Sequence, residues 1–220
     1  MPTSNMSAEQ RRYQTVETVI ALAGQQNPSE ITTAAIAKHM SVTQGALFRH
    51  FPTKDAIWQA VMEWVAECLL DRVDCAARAA DTPTEALRAM FMSHVAFVIA
   101  YPGVPRMMFG ELQHARPTPA KFAARTLMQR YAERVANKIE DGKISGEISL
   151  DVDPRAAAIL FIGTIQGLVM QSMMSGELEA ARANAEGVLA IYLRGLRPDV
   201  DAMTRKASQR TTKTGRGGPK

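Results

Sequence analysis

Apolar residues recur along this chain at three- and four-residue spacing, and the recurrences are fenced by capping residues, proline or glycine. That pattern confines the fold to packed helices. The first stripe is Val16, Val19, Ile20 and Ala23, ended by Asn27 and Pro28. A short piece follows over 33–40, with Thr32 or Thr33 as N-cap, then a break at Ser41-Val42-Thr43 and a second short piece over 44–50. Pro52 stops it, and Thr53 caps a long helix starting at Lys54, whose stripe is Ile57, Val61, Trp64, Val65, Cys68 and Leu69. Thr82-Pro83-Thr84-Glu85 restarts the chain, and 87–101 is apolar nearly all round, as a buried central helix would be. Pro102, Gly103 and Pro105 break that run. Further helices are expected over 106–114, over 120–141 with Gly142 and Gly146 as terminators, over 155–175 behind Asp153-Pro154, and over 179–196 before Pro198. No segment alternates with period two, so the expectation is an all-α fold of about nine helices.

Of the 220 residues 46% are hydrophobic and 22% charged, which supplies a sizeable core and excludes a wholly disordered chain or a disulfide scaffold. Cys68 and Cys75 are seven apart in a helical stretch, a rise of ~10.5 Å, too far for a bond between them. The N-terminal stretch to Arg12 is polar, and the longest apolar runs, 89–101 and 156–170, fall short of the ~20 residues of a bilayer span. A soluble, cytoplasmic protein without a membrane partner is expected. The net charge of +4 is misleading: six of the 26 basic residues follow Asp201, where all 22 acidic ones have ended, so the first 201 residues carry a net −2. Residues 201–220 read as a basic disordered tail, and bulk charge does not itself argue that the body binds nucleic acid.

The informative block lies between Thr32 and Lys54. Ile36, Ala37, Val42 and Leu47 are spaced to pack two short helices against the first helix and each other, with small Ala37 permitting close approach. That is the construction of a helix-turn-helix, whose second helix enters a major groove. The face left outward carries Thr43, Gln44, Gly45, Ala46, Arg49 and His50, small or polar groups suited to base edges and phosphates. Phe48 and Phe51 read as packing residues rather than base-stacking ones. His39 and His50 have no cysteine or carboxylate nearby at ligand spacing, so no metal is expected.

The run Gly45-Ala46-Leu47-Phe48-Arg49-His50-Phe51 followed by Lys54, within 31–57, resembles the DNA-binding region of TetR/AcrR-type transcriptional regulators. The resemblance implies an N-terminal three-helix DNA-binding domain over 1–54 and a helical effector-binding and dimerisation domain over 55–200. It implies a recognition helix over 44–50, with Thr33 touching the DNA backbone, Thr43 and Gln44 reaching phosphate or base edges, and Lys54 holding a phosphate. Three positions depart from the family pattern. Phe48 stands where tyrosine is common and removes a hydroxyl–phosphate contact, Met40 replaces a small residue, and Ser41 stands where the turn usually has glycine. A left-handed conformation at Ser41 would cost on the order of 1 kcal/mol.

The second half is rich in Met and Phe, including Met90, Met92, Met107, Met108, Met128, Met170, Met173 and Met174. These either fill the core or line an adaptable apolar cavity, and the resemblance implies that a cavity exists. Candidate lining residues are His94, Phe97, Met107, Met108, Glu111, Phe122, Met128, Gln166 and Met170, with Arg106 and Gln113 as further polar handles. In 155–175 the apolar residues cover more than one face, and Gly163 and Gly167 align on one side. Together with the last helix this predicts a homodimer seam through Phe161, Gly163, Ile165, Gly167, Val188 and Tyr192, and an isologous dimer reads a near-palindrome. Signatures of catalysis are absent: no Gly-rich phosphate loop, no Gly-x-Ser-x-Gly, no His-Glu-x-x-His. The expected function is a repressor-type transcriptional regulator that binds double-stranded DNA and a small, largely apolar effector, without a cofactor. The alternatives are a constitutive DNA-binding protein without effector and a helical-bundle enzyme.

Overall fold

The computed structural model describes residues 7–199, and among them all regular structure is helical. The order is α1 (Ala8–Gln25), a single 3-10 turn (Pro28–Glu30), α2 (Thr33–His39), α3 (Gln44–Phe48), α4 (Lys54–Arg78), α5 (Pro83–Ala100), α6 (Gly103–Gln113), α7 (Pro119–Ser145), α8 (Pro154–Ser175) and α9 (Ala180–Leu196). The expected tail over 201–220 lies outside the described residues.

Threonines start most of these helices. Thr32, Thr43, Thr53, Thr82 and Thr118 each accept a hydrogen bond from an otherwise orphaned backbone N–H three residues on, at 2.9–3.2 Å. Ser7 and Gln10 form a reciprocal capping box at the start of α1. Most helix boundaries fall within one or two residues of expectation, and two differ by more. Helix α6 begins at Gly103 rather than Arg106, because Pro105 falls in its first turn, where no intrahelical N–H is required. Helix α7 runs through Gly142 to Ser145, and the terminator is Gly146, at φ 81°. Gly142 is small for packing: a Cβ there would lie 2.5 Å from Ile148 Cδ1.

Helix α4 runs along α5 and α7, α7 packs on α8, and α9 closes over α5 and α8. Arg134 of α7 grips Asp74 of α4 at 2.9 Å, and Arg88 of α5 pairs with Glu186 of α9. One buried apolar cluster runs without interruption from Val16 in α1 to Leu196 in α9. At its centre Phe91, Tyr131 and Tyr192 all meet the Phe161 ring edge-on, with centroids 5.4–6.3 Å away. Tyr192 donates its hydroxyl to Ala157 O at 3.0 Å, which lets a polar tip lie inside the core.

Two sequence expectations need correction here. Helix α8 is long and apolar enough to cross a bilayer, against the reading that no run reached that length; its inner face nevertheless packs within the fold. Phe161, Ile165 and Tyr192, expected at a seam between protomers, are buried inside one protomer. The phase of α8 turns Phe161 toward Phe91 of α5 and Tyr131 of α7, while Tyr192 of α9 packs on Phe161 and Ala157 of α8; a helix apolar on all sides gives no sequence sign of its phase.

Candidate nucleic-acid interface and effector cavity

Helices α2 and α3 form a tight pair. Ile36, Ala37 and Leu47 are buried between them, and Val42 donates its N–H to Ala37 O at 3.0 Å across the turn. Ser41 adopts φ 56°, so a non-glycine residue does occupy the left-handed position of the turn. The outward face of α3 carries exposed Thr43, Gln44, Gly45, Phe48 and Arg49, with Ala46 and His50 half-buried at its margins. Gln44 Nε2 donates to Thr33 Oγ1 at 2.7 Å, which joins two of the expected contact residues across the helix pair. Phe48 departs from its expected packing role: it is 41% exposed, because Leu47 takes the inward position and the next residue is turned about 100° away. Phe51 is wholly buried, as expected.

Lys54 opens α4 beside this face. Its ammonium lies 4.6 Å from the Trp58 ring centroid and 3.4 Å from Ser29 O, and desolvation pulls its pKa below the ordinary lysine value. Arg12, unmarked by any motif, donates to His50 O at 2.8 Å and covers the Phe51 ring, tying α1 to the segment just after α3. No group of three or more His, Cys, Asp or Glu side chains suited to a metal occurs among the described residues.

A cavity of about 80 Å³ lies between α4, α5, α6, α7 and α8. His94, Phe97, Met108, Met128 and Gln166 line it, together with Val65, Leu69, Val98, Val104, Phe109, Leu112, Leu127, Ile165 and Val169. Met107 and Glu111 sit on the opposite side of α6, along an open groove of about 660 Å³ that runs past Lys54, Trp58, Arg106 and Gln113. Phe122, at 64% exposed, and Met170, at 41%, line neither space. Two candidate polar handles are committed within the chain. Glu111 accepts from Thr118 Oγ1 at 2.6 Å and joins the end of α6 to the start of α7; Arg106 donates to Gly24 O at 2.8 Å.

His94 differs from these. Its Nδ1 is buried without a hydrogen-bond partner, and desolvation lowers its pKa to about 4, so the imidazole is neutral near pH 7. The Tyr131 ring lies beside it with centroids 5.3 Å apart, and the Tyr131 hydroxyl is likewise buried and unpartnered, its pKa raised by burial. Tyr131 escaped sequence reasoning because it occupies an ordinary core position of an amphipathic helix.

Helix α6 lies between the cavity and α1 and is fixed to the latter. A Cβ on Gly103 would stand 2.1 Å from Ile20 O and 2.9 Å from Gly24 N, so only glycine lets the start of α6 seat on the end of α1. On the far side of the molecule, α8 and α9 expose Ile159, Leu160, Met170, Met174 and Ile191 around Gly163 and Gly167. Val188 lies half-buried beside Gly167 in the groove between the two helices.

A family model described as bacterial regulatory proteins, tetR family, matches residues 17–61, and one described as tetracyclin repressor-like, C-terminal domain, matches residues 80–195. A nucleoid occlusion factor SlmA from Vibrio campbellii is 26% identical over 146 residues, which is 66% of this chain and 74% of the relative. Among solved structures, the transcriptional regulator FadR from Bacillus subtilis, in complex with stearoyl-CoA, superposes with a TM-score of 0.75 at 18% identity, covering 84% of this chain and 99% of the other. The ketosteroid transcriptional regulator KstR2 of Mycobacterium tuberculosis superposes with a TM-score of 0.70 at 19% identity, covering 90% and 98%.

Proposed function

This chain belongs to the TetR family of bacterial regulatory proteins, and on that premise we propose that it is a ligand-responsive repressor that binds a near-palindromic operator as a homodimer. Family membership makes it a DNA-binding regulator. The observation that carries the ligand response is the position of α6: one side lines the apolar cavity, and its first turn is seated on α1.

On this reading Gln44, Gly45, Ala46 and Arg49 meet base edges and backbone, while Thr33, Thr43 and Lys54 hold phosphates and set the register. Phe48 and His50 flank the same surface. The division near Lys54 marks the end of the reading unit, and α4 carries its orientation into the effector unit. An effector entering a space of about 80 Å³ must move its flexible Met and Phe lining, and with it α6. Because α6 drags α1, the two reading units of a dimer leave the spacing that matches successive grooves. The effector shifts the balance only by its differential affinity for the two arrangements, ~1–3 kcal/mol for typical coupling. The Bacillus subtilis neighbour of similar fold was solved with stearoyl-CoA, a ligand with a long apolar chain, which supports an apolar effector here.

The test is a selection of bound DNA from a random pool, followed by release assays with a compound library. A near-palindrome with half-sites one helical turn or a multiple apart, together with at least one releasing compound, is expected. The small resting volume of the cavity favours one other reading, a constitutive DNA-binding protein. A palindromic site with no releasing compound would establish that alternative.

A further inference from the structure

The cavity has an unequal chemistry along its length. Of its lining side chains none is charged, and two are polar, His94 and Gln166. Gln166 stands at the exposed end, beside Leu112, with its amide directed to Met128 Sδ at 3.6 Å. His94 stands at the buried end, and its Nδ1 has no partner; Tyr131 behind it has an unpartnered hydroxyl as well. Natural cores rarely leave two neighbouring polar groups unsatisfied, and each such group calls for a reason. A bound ligand that supplies the missing partner is such a reason.

Resting on the effector reading above, we propose that the effector is a neutral molecule with an apolar body and one oxygen function, a hydroxyl or a carbonyl, that hydrogen-bonds to His94 at the buried end of the cavity. A neutral imidazole has one donor and one acceptor nitrogen, so it can meet either kind of oxygen. The Tyr131 hydroxyl can both give and accept, and it satisfies the same oxygen from the adjoining position once the lining moves. A carboxylate fits poorly: no lysine or arginine lines the space, and burial opposes the protonated imidazole that would balance the charge. A pure hydrocarbon gains nothing from His94. The apolar body follows Phe97, Met108 and Met128 toward Leu112, and the two methionines adapt their rotamers to its length.

The experiment compares 1-octanol, 2-octanone, octanoate and n-octane on the full chain near neutral pH, by calorimetric titration and by thermal shift. It is run on the wild type, on His94→Leu, and on Tyr131→Phe, which removes only a hydroxyl. The alcohol and the ketone are expected to bind about tenfold more tightly than octane, the worth of one well-placed hydrogen bond. That advantage is expected to vanish in His94→Leu, and to shrink in Tyr131→Phe, while octane binding is unchanged. Octanoate binding tighter than octanol overturns the inference and leaves the effector reading standing. An alcohol advantage that survives both substitutions does the same. If none of the four compounds binds, the apolar-effector reading falls and this inference falls with it.

Discussion

His94 sits in an environment far from that of a solvated imidazole, and the consequence is measurable without any ligand. Burial holds its folded pKa near 4, against 6.5 for a solvated imidazole. Between those values the unfolded chain binds a proton that the folded chain refuses, so stability falls as pH is lowered through 6.5 toward 4, and nothing is lost above 6.5. At about pH 5 the loss from this one group is about 2 kcal/mol. Urea unfolding of wild type and His94→Leu at about pH 7.5 and about pH 5 checks it: the variant should gain on the wild type by that amount at the lower pH. Parallel behaviour at the two values would mean that the imidazole is solvated. Lys54 makes the opposite kind of contact, a charge held near the surface by the Trp58 ring and the Ser29 carbonyl oxygen. The phosphate contact proposed for Lys54 would carry no sequence information, so Lys54→Ala should weaken operator and random DNA alike and lower the slope of log affinity against log salt by ~1 per subunit. A collapse of discrimination between the two DNAs, read in the same titration, would instead make Lys54 a base reader. At this scale the sequence was legible where chemistry and position coincide. Thr43, Gln44 and Arg49 could be assigned to an outward face because Ile36, Ala37 and Leu47 fix the inward one. Tyr131 could not be singled out, because an unpartnered hydroxyl is a property of its surroundings.

Among the elements, helix starts were legible because a threonine or serine hydroxyl satisfies an orphan N–H locally, with no tertiary information required. Helix ends were less so: Gly142 and Gly146 are both plausible terminators in the sequence, and only packing against Ile148 distinguishes the interior glycine from the left-handed one. The facing of α8 was not legible, since Ile159 and Phe161 are equally apolar while one is exposed and the other wholly buried. Helix α6 is the element with the most at stake. Its breakers, Pro102, Gly103 and Pro105, were visible, but their purpose was not. Gly103 lets α6 touch the α1 backbone, and Arg106 then fastens it to Gly24 O. Arg106→Met keeps the aliphatic stem and removes the fastening. Effector affinity of the free protein should stay close to wild type, while the ratio of operator affinities without and with effector should fall toward one, from the 5- to 150-fold typical of such coupling. Calorimetry for the effector and gel-shift titration for the operator separate the two quantities. A variant that loses effector affinity and keeps its coupling ratio would place Arg106 in the ligand site and not in the linkage.

For the whole molecule, the decisive surface is the one that α8 and α9 leave uncovered. Ile159, Leu160, Met174 and Ile191 are each more than half exposed in the single chain, and they gather on the outward side of two adjacent helices. Large apolar side chains exposed together on one side of a helix pair mark an interaction surface, and a second copy of the same pair of helices would cover them by symmetry. Phe161, Ile165 and Tyr192 hold this surface from behind, and Gly163 and Gly167 form its floor. Neither glycine has any atom within 4 Å of a Cβ placed on it. The Cβ of a residue at either position therefore meets no other part of the protomer, and replacing glycine within a helix raises helix propensity. If the seam runs over these glycines, Gly163→Leu with Gly167→Leu should leave thermal stability of the protomer intact and yet separate the dimer, because two helices that approached over glycine are forced apart. Sedimentation at micromolar concentration reads the oligomeric state directly, and the same sample should bind a single half-site while losing the tight palindromic complex, in which both recognition helices contribute. A double variant that sediments as a dimer would move the seam elsewhere on α8 and α9, and with it the distance between the two α3 helices that sets the half-site spacing.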